Sequence, residues 1–183
     1  MPVNAPNDNL DILAPFFNLK NTDNKMVSLD SSRGLNGTVI VFICNHCPYV
    51  KAIATRLKNN ADELKKYSIN TIAIMSNDVV NYPEDSFENM KIFAEKYKFH
   101  FPYLYDETQE VARDYNAVCT PDFFGFDKNL KLKYRGRLDS GVMNSNKNTN
   151  IQKDLFNAMI KIKNEGVGPL NQINSIGCSI KWK

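Results

Sequence analysis

The 183-residue sequence predicts an α/β fold: a central mixed β-sheet flanked by helices, with a β-hairpin at the N-terminal end and a tail at the C-terminal end. Three observations predict it. Apolar, strand-like runs alternate with segments of helical period in the order ββ-β-α-β-α-β-α-ββ-α-tail, which argues a sheet parallel in its middle and antiparallel at one edge. The two central runs, Thr38 to Ile43 and Ile69 to Met75, are apolar at most positions, as in strands covered on both faces. The chain is 43% hydrophobic with eleven phenylalanines, enough for a sizeable core. No internal repeat and no linker divides it, so residues 1–183 read as one domain.

Each element has a local reason. Ala14-Pro15-Phe16-Phe17-Asn18-Leu19 and Met26-Val27-Ser28-Leu29 are short strand-like pieces, and Asn21-Thr22-Asp23-Asn24 supplies turn residues for a hairpin. Thr38 to Ile43 is the central strand. A helix follows over residues 48–67: Val50, Ile53, Ala54, Leu57, Ala61 and Leu64 keep helical spacing, while Lys51, Arg56, Lys58, Asp62 and Lys65 mark a wet face. Ile69 to Met75 is the second core strand. Tyr82-Pro83-Glu84-Asp85 leads into a helix with Phe87, Met90, Phe93, Ala94 and Tyr97 on one side. Residues 101–106 are extended and residues 107–115 form a short helix. Residues 122–126 and 130–134 pair as a hairpin around Asp127-Lys128-Asn129. Residues 141–149 are Asn-rich and read as a loop, residues 151–164 as a last amphipathic helix, and residues 169–183 as a tail without a clear period.

The chemistry concentrates between the central strand and the long helix, at Cys44-Asn45-His46-Cys47-Pro48. Two cysteines at C-x-x-C spacing between a strand and a helix form a redox motif. Helix N-terminal amides favour a thiolate at the first cysteine, and the second lies within one turn, placed to attack a mixed disulfide. Cys44 is therefore the expected nucleophile and Cys47 the resolving thiol. His46, beside Cys47, is placed to stabilise the Cys44 thiolate; a solvated histidine at a helix start is the alternative. A zinc site needs about four ligands; the chain has only two histidines, His46 and His100, and no second C-x-x-C. His100, between Phe99 and Phe101, reads as structural.

At these residues the chain resembles the thioredoxin superfamily, and within it the peroxiredoxin-like branch of AhpC/TSA or redoxin type. Ala14-Pro15-Phe16-Phe17-Asn18-Leu19 resembles the A-P-x-F-x-L opening of that branch, and Ile43-Cys44-Asn45-His46-Cys47-Pro48 sits where its redox motif sits. Thr120-Pro121 looks like the threonine and cis-proline that face the cysteines. The tail Ser175-Ile176-Gly177-Cys178-Ser179-Ile180-Lys181-Trp182 resembles that of small thioredoxin-like proteins with a C-N-H-C-P-Y start. The resemblance implies a single thioredoxin-like domain over residues 1–183, with Cys44, Cys47, His46, Thr120 and Pro121 at its site. The backbone before Pro121 would pair with an extended substrate strand. Some positions depart from the pattern. Ile43 replaces the tryptophan usual in thioredoxins, and Thr38 stands where they bury an acid. Residues 37–44, Gly-Thr-Val-Ile-Val-Phe-Ile-Cys, lack the P-x-x-x-[TS]-x-x-C of true peroxiredoxins.

The expected function is thiol-disulfide exchange through Cys44 and Cys47. The alternatives are a peroxiredoxin-like peroxidase using Cys44 on hydroperoxides, and a thiolate metal-binding module using Cys44, Cys47 and His46. No organic cofactor is implied. Partners are a protein or small-molecule disulfide or dithiol and an electron donor the sequence does not name. Cys119 reads as a packing residue or a third thiol near the pair; Cys178 as a partner thiol or a residue that packs on the domain. Arg135 and Arg137 read as a solvated strand end or as contacts for an anionic substrate or a thiolate. A net charge of +3 with scattered lysines argues against nucleic acid. No apolar run is long enough to span a bilayer. Residues 1–10 lack the pattern of a secretory signal, and four cysteines are too few for a disulfide scaffold, so a reducing cytoplasm is expected.

Overall fold

The computed structural model describes residues 2–5, 10–141 and 151–183. The Asn-rich loop expected over residues 141–149 lies, beyond Gly141, outside the described residues. The first elements are β1 (Pro2–Asn4), the hairpin strands β2 (Asn18–Asn21) and β3 (Met26–Ser28), the one-turn helix α1 (Leu29–Ser32), β4 (Gly37–Phe42) and the long helix α2 (Pro48–Lys65). Then come β5 (Ile69–Met75), α3 (Phe87–Lys96), β6 (Tyr103–Tyr105) and α4 (Glu110–Asp114). β7 (Cys119–Thr120), β8 (Asp122–Phe126), β9 (Leu132–Gly136), α5 (Asp154–Glu165) and β10 (Ile176–Ser179) complete the chain.

Seven strands form the main sheet in the order β3-β2-β6-β5-β4-β8-β9. β4, β5 and β6 run parallel, as their apolar runs predict. Antiparallel strands flank them on both sides, β2 and β3 beyond β6, and β8 and β9 beyond β4, where the sequence pointed to one antiparallel edge. Both edges are made by hairpins of local sequence, so two short turns suffice to close off the parallel centre.

The pleat divides the core. Val39 and Val41, with Ile43, face α2, α3 and α5 and pack with Leu57, Leu64, Met90, Leu155 and Met159. Ile40 and Phe42 face the opposite side, against Leu29 of α1, Val111 and Ala112 of α4, Phe124, Phe126 and Ile180. Every residue of β4 is buried, which explains its unbroken apolar run. Among the described residues no helix is long and apolar enough to cross a membrane.

The structure departs from expectation at the tail. Residues 176–179 form β10, the middle strand of a second, three-stranded sheet ordered β1-β10-β7. Cys178 pairs with Thr120 and Ser179 with Cys119, antiparallel. The tail lacks a readable period because its neighbours are two very short strands, β1 and β7, remote in sequence.

Candidate active site

Three parallel strands end at the same edge of the sheet, where open α/β sheets place their ligand sites. β4 delivers Cys44 to Cys47, and β5 delivers Ser76-Asn77-Asp78. Backbone pairing of β4 with β5 continues one residue past the strand, through Ile43 N–H to the Ile74 carbonyl at 2.9 Å, so the cysteine turn starts from a fixed position. α2 begins at Pro48, whose missing N–H costs nothing in a first helical turn. The residue at the N-cap is Cys47, with its carbonyl accepting from Lys51 N–H at 3.0 Å.

Both sulfurs are fully buried. Cys44 Sγ meets the Thr120 hydroxyl at 3.3 Å, and Cys47 Sγ lies 3.2 Å from the Thr120 carbonyl oxygen. The peptide bond between Thr120 and Pro121 is cis. The Thr120 carbonyl accepts from the Cys47 thiol, and the Thr120 hydroxyl is placed to donate to Cys44 Sγ, which favours a thiolate there; burial and the Asp85 carboxylate oppose it.

Asp85, which the sequence did not single out, organises the turn. It is fully buried in the 3₁₀ turn Pro83–Asp85. Its Oδ1 accepts from Asn45 N–H at 2.7 Å and His46 N–H at 3.2 Å. Its Oδ2 accepts from His46 Nδ1 at 2.7 Å and from Asn77 Nδ2 at 2.8 Å. The His46 tautomer follows, because a carboxylate only accepts. The His46 ring also stacks on Tyr82, and the Tyr103 hydroxyl donates to Asn45 Oδ1 at 2.9 Å. His46 is thus a clamped member of a buried network. Cys44 Sγ, a His46 ring nitrogen and an Asp85 oxygen lie within 4.8 Å of one another, a set with metal-ligating chemistry. Four donors already fill the acceptor sites of that carboxylate, so a cation there would have to displace them.

The strand pairing puts Cys178 over the motif. Its sulfur is 3.1 Å from Cys47 Sγ, and burial followed by its hydrogen bond to Cys47 raises it to about 11. One local signal was available: Gly177, beside a cysteine in a strand, marks close backbone approach. A Cβ there would lie 2.0 Å from the Thr120 carbonyl oxygen. Cys119 is buried, with its thiol directed at the Pro121 carbonyl oxygen at 3.5 Å. Arg135 and Arg137 do not face the sulfurs: Arg135 Nη2 donates to Asp122 at 2.9 Å and Arg137 Nε to Asp154 at 2.6 Å. His100 sits at the surface, 3.4 Å from Asp62. Beside Pro121 opens a cleft of about 370 Å³, lined by Tyr49, Ile53, Phe123, Leu138 and Ile176.

Residues 12–135 match the AhpC/TSA family. The chain is 29% identical over 113 residues to peroxiredoxin Bcp of Escherichia coli, covering 62% of this chain and 67% of that protein. It is similar over its whole length to the crystal structure of an uncharacterised conserved protein from Geobacillus kaustophilus, with 45% identity, 97% of that chain covered and a TM-score of 0.93. The thioredoxin domain of a thiol-disulfide oxidoreductase from Bacteroides vulgatus has the same fold at 16% identity, with a TM-score of 0.59 over 69% of this chain and 87% of that one. The fold is therefore thioredoxin-like. The chain belongs to the AhpC/TSA family, and is an oxidoreductase of its peroxiredoxin-like, thioredoxin-superfamily kind.

Proposed function

We propose that the protein exchanges thiols and disulfides through Cys44 and Cys47. The observation that carries this reading is the pair of buried sulfurs held on one peptide beside the start of α2, Cys44 Sγ against the Thr120 hydroxyl and Cys47 Sγ against the Thr120 carbonyl. With β10 undocked, Cys44 supplies the thiolate: it attacks one sulfur of a partner disulfide, and the partner's other sulfur leaves and takes a proton. Cys47, giving up its own proton, then attacks Cys44 Sγ. The Cys44–Cys47 bond closes and the second partner thiol departs. Two electrons pass to the partner; the reverse sequence oxidises a dithiol. Thr120 steadies Cys44, His46 holds the turn through Asp85, and Pro121 borders the cleft beside the motif.

The partner in this reading is a protein or small-molecule disulfide or dithiol, with a separate electron donor and no nucleic acid or organic cofactor. The setting is the cytoplasm. Reduction of hydroperoxides is the second reading, favoured by the name of the Escherichia coli relative. Against it, residues 37–44 lack the activating proline and Thr/Ser, and Arg135 and Arg137 are occupied by carboxylates. Oriented donors on the breaking O–O bond would have to come from elsewhere. Equilibration in graded glutathione buffers, followed by alkylation and peptide mapping, tests the proposal. The Cys44–Cys47 disulfide is expected at oxidising ratios and absent at reducing ones. No such link at any ratio, with stopped-flow oxidation by hydrogen peroxide far faster than that of free cysteine, would replace it with the peroxidase.

A further inference from the structure

Cys44 and Cys47 have no solvent-accessible surface, so a partner cannot reach them while β10 is docked. Cys178 is partly exposed, and its sulfur touches Cys47 at 3.1 Å. It is carried there on the strand that pairs with Thr120, so the chain's own backbone takes the edge expected to receive a substrate strand. Gly177 makes the approach feasible, since any side chain would run into the Thr120–Pro121 peptide. The cleft beside Pro121 has Ile173 to Ile176 along one rim, the residues that lead into β10 and Cys178.

We propose that Cys178 is a third redox thiol, the port through which a partner exchanges electrons with the buried pair; this rests on the thiol-disulfide reading above. In the oxidised protein the Cys178 thiolate attacks Cys47 Sγ of the Cys44–Cys47 disulfide. The Cys47–Cys178 bond forms, and the Cys44 thiolate leaves and takes up the proton. An external dithiol then attacks Cys178 Sγ, releasing the Cys47 thiolate. Its second thiol attacks the mixed disulfide and releases Cys178. The external dithiol is oxidised to a disulfide, and all three protein sulfurs end as thiols or thiolates. The first step only moves the disulfide; the two electrons enter in the second. Held beside Cys47, Cys178 acts at the high effective concentration of an intramolecular nucleophile.

Two whole-chain variants test the port, with dithiothreitol as the external dithiol. Cys44→Ser leaves Cys47, Cys119 and Cys178, and on mild oxidation Cys47 and Cys178 should form an intramolecular disulfide, detected by peptide mapping as loss of those two thiols to alkylation in a monomer that keeps Cys119 free. Cys178→Ser should still form the Cys44–Cys47 disulfide, yet its reduction by dithiothreitol should be slowed about tenfold or more against wild type. Equal reduction rates, or an oxidised Cys44→Ser protein that keeps all three thiols free or only dimerises, would overturn the port and leave the exchange function standing. Failure of the Cys44–Cys47 disulfide to form in both wild type and Cys178→Ser would instead overturn the exchange function itself.

Discussion

The two walls of the sulfur cluster are built by opposite means. The turn from Cys44 to Cys47 is local: a buried strand ends, a proline starts a helix, and four successive residues carry the chemistry. The wall opposite is assembled from afar, by Thr120, Pro121 and Cys178, joined through the antiparallel pairing of β7 with β10. The local wall supplies the reacting pair. The remote wall sets whether that pair meets the outside. A site of this kind separates reactivity from access.

Substitutions can break that division, and the largest effect belongs to the sulfur common to both walls. Cys47→Ser removes a member of the Cys44–Cys47 pair and the contact of Cys178. Exchange with a small disulfide should fall about 10³-fold, roughly 4 kcal/mol of barrier, in a stopped-flow assay. Next comes the support of the remote wall. Asp122 follows Pro121 and is buried with Arg135, whose guanidinium also lies over the Phe124 ring. Burial raises the Asp122 carboxyl while Arg135 opposes. Arg135→Met should cost about 3 kcal/mol in urea unfolding, because it strands a buried acid. An unchanged midpoint would show that the pair adds nothing to that wall.

Gly177→Val tests the docking of β10 alone. Its side chain would meet the Thr120 carbonyl, and overpacking of this kind costs roughly 1–3 kcal/mol. Cys178 should then alkylate faster while the Cys44–Cys47 disulfide still forms; unaltered alkylation would mean the strand is held elsewhere. The gentlest probe is pH. The pair's thiolate absorbance, lost as pH falls, should be abolished in Cys44→Ser and survive in Cys47→Ser. The reverse result would assign the thiolate to Cys47.

How much of this was legible follows from the same contrast. The C-x-x-C after an apolar strand, the long helix and the central strands all rest on neighbouring residues, and each stands within a few residues of its expected place. Thr120 and Pro121 were legible through family resemblance. Asp85 was not, since an acid beside Ser86 reads as ordinary helix-start chemistry, and only the folded chain shows four donors converging on it. β10 was invisible as well: four residues with a glycine second have no period to detect.

Asn77 joins the two walls through a single amide. Its oxygen accepts from Lys181 N–H at 2.9 Å, just beyond β10, and its nitrogen donates to Asp85 at 2.8 Å. Asp85 in turn receives the N–H groups of Asn45 and His46. Because an amide has one end of each kind, turning it over would break both bonds at once. Hydrogen exchange at Asn45 and His46 therefore becomes a remote gauge of the chain's last residues. Detaching Lys181 frees the amide to rotate, slackens the carboxylate and speeds exchange between the cysteines, so the protection of two backbone amides reports whether the far strand is seated.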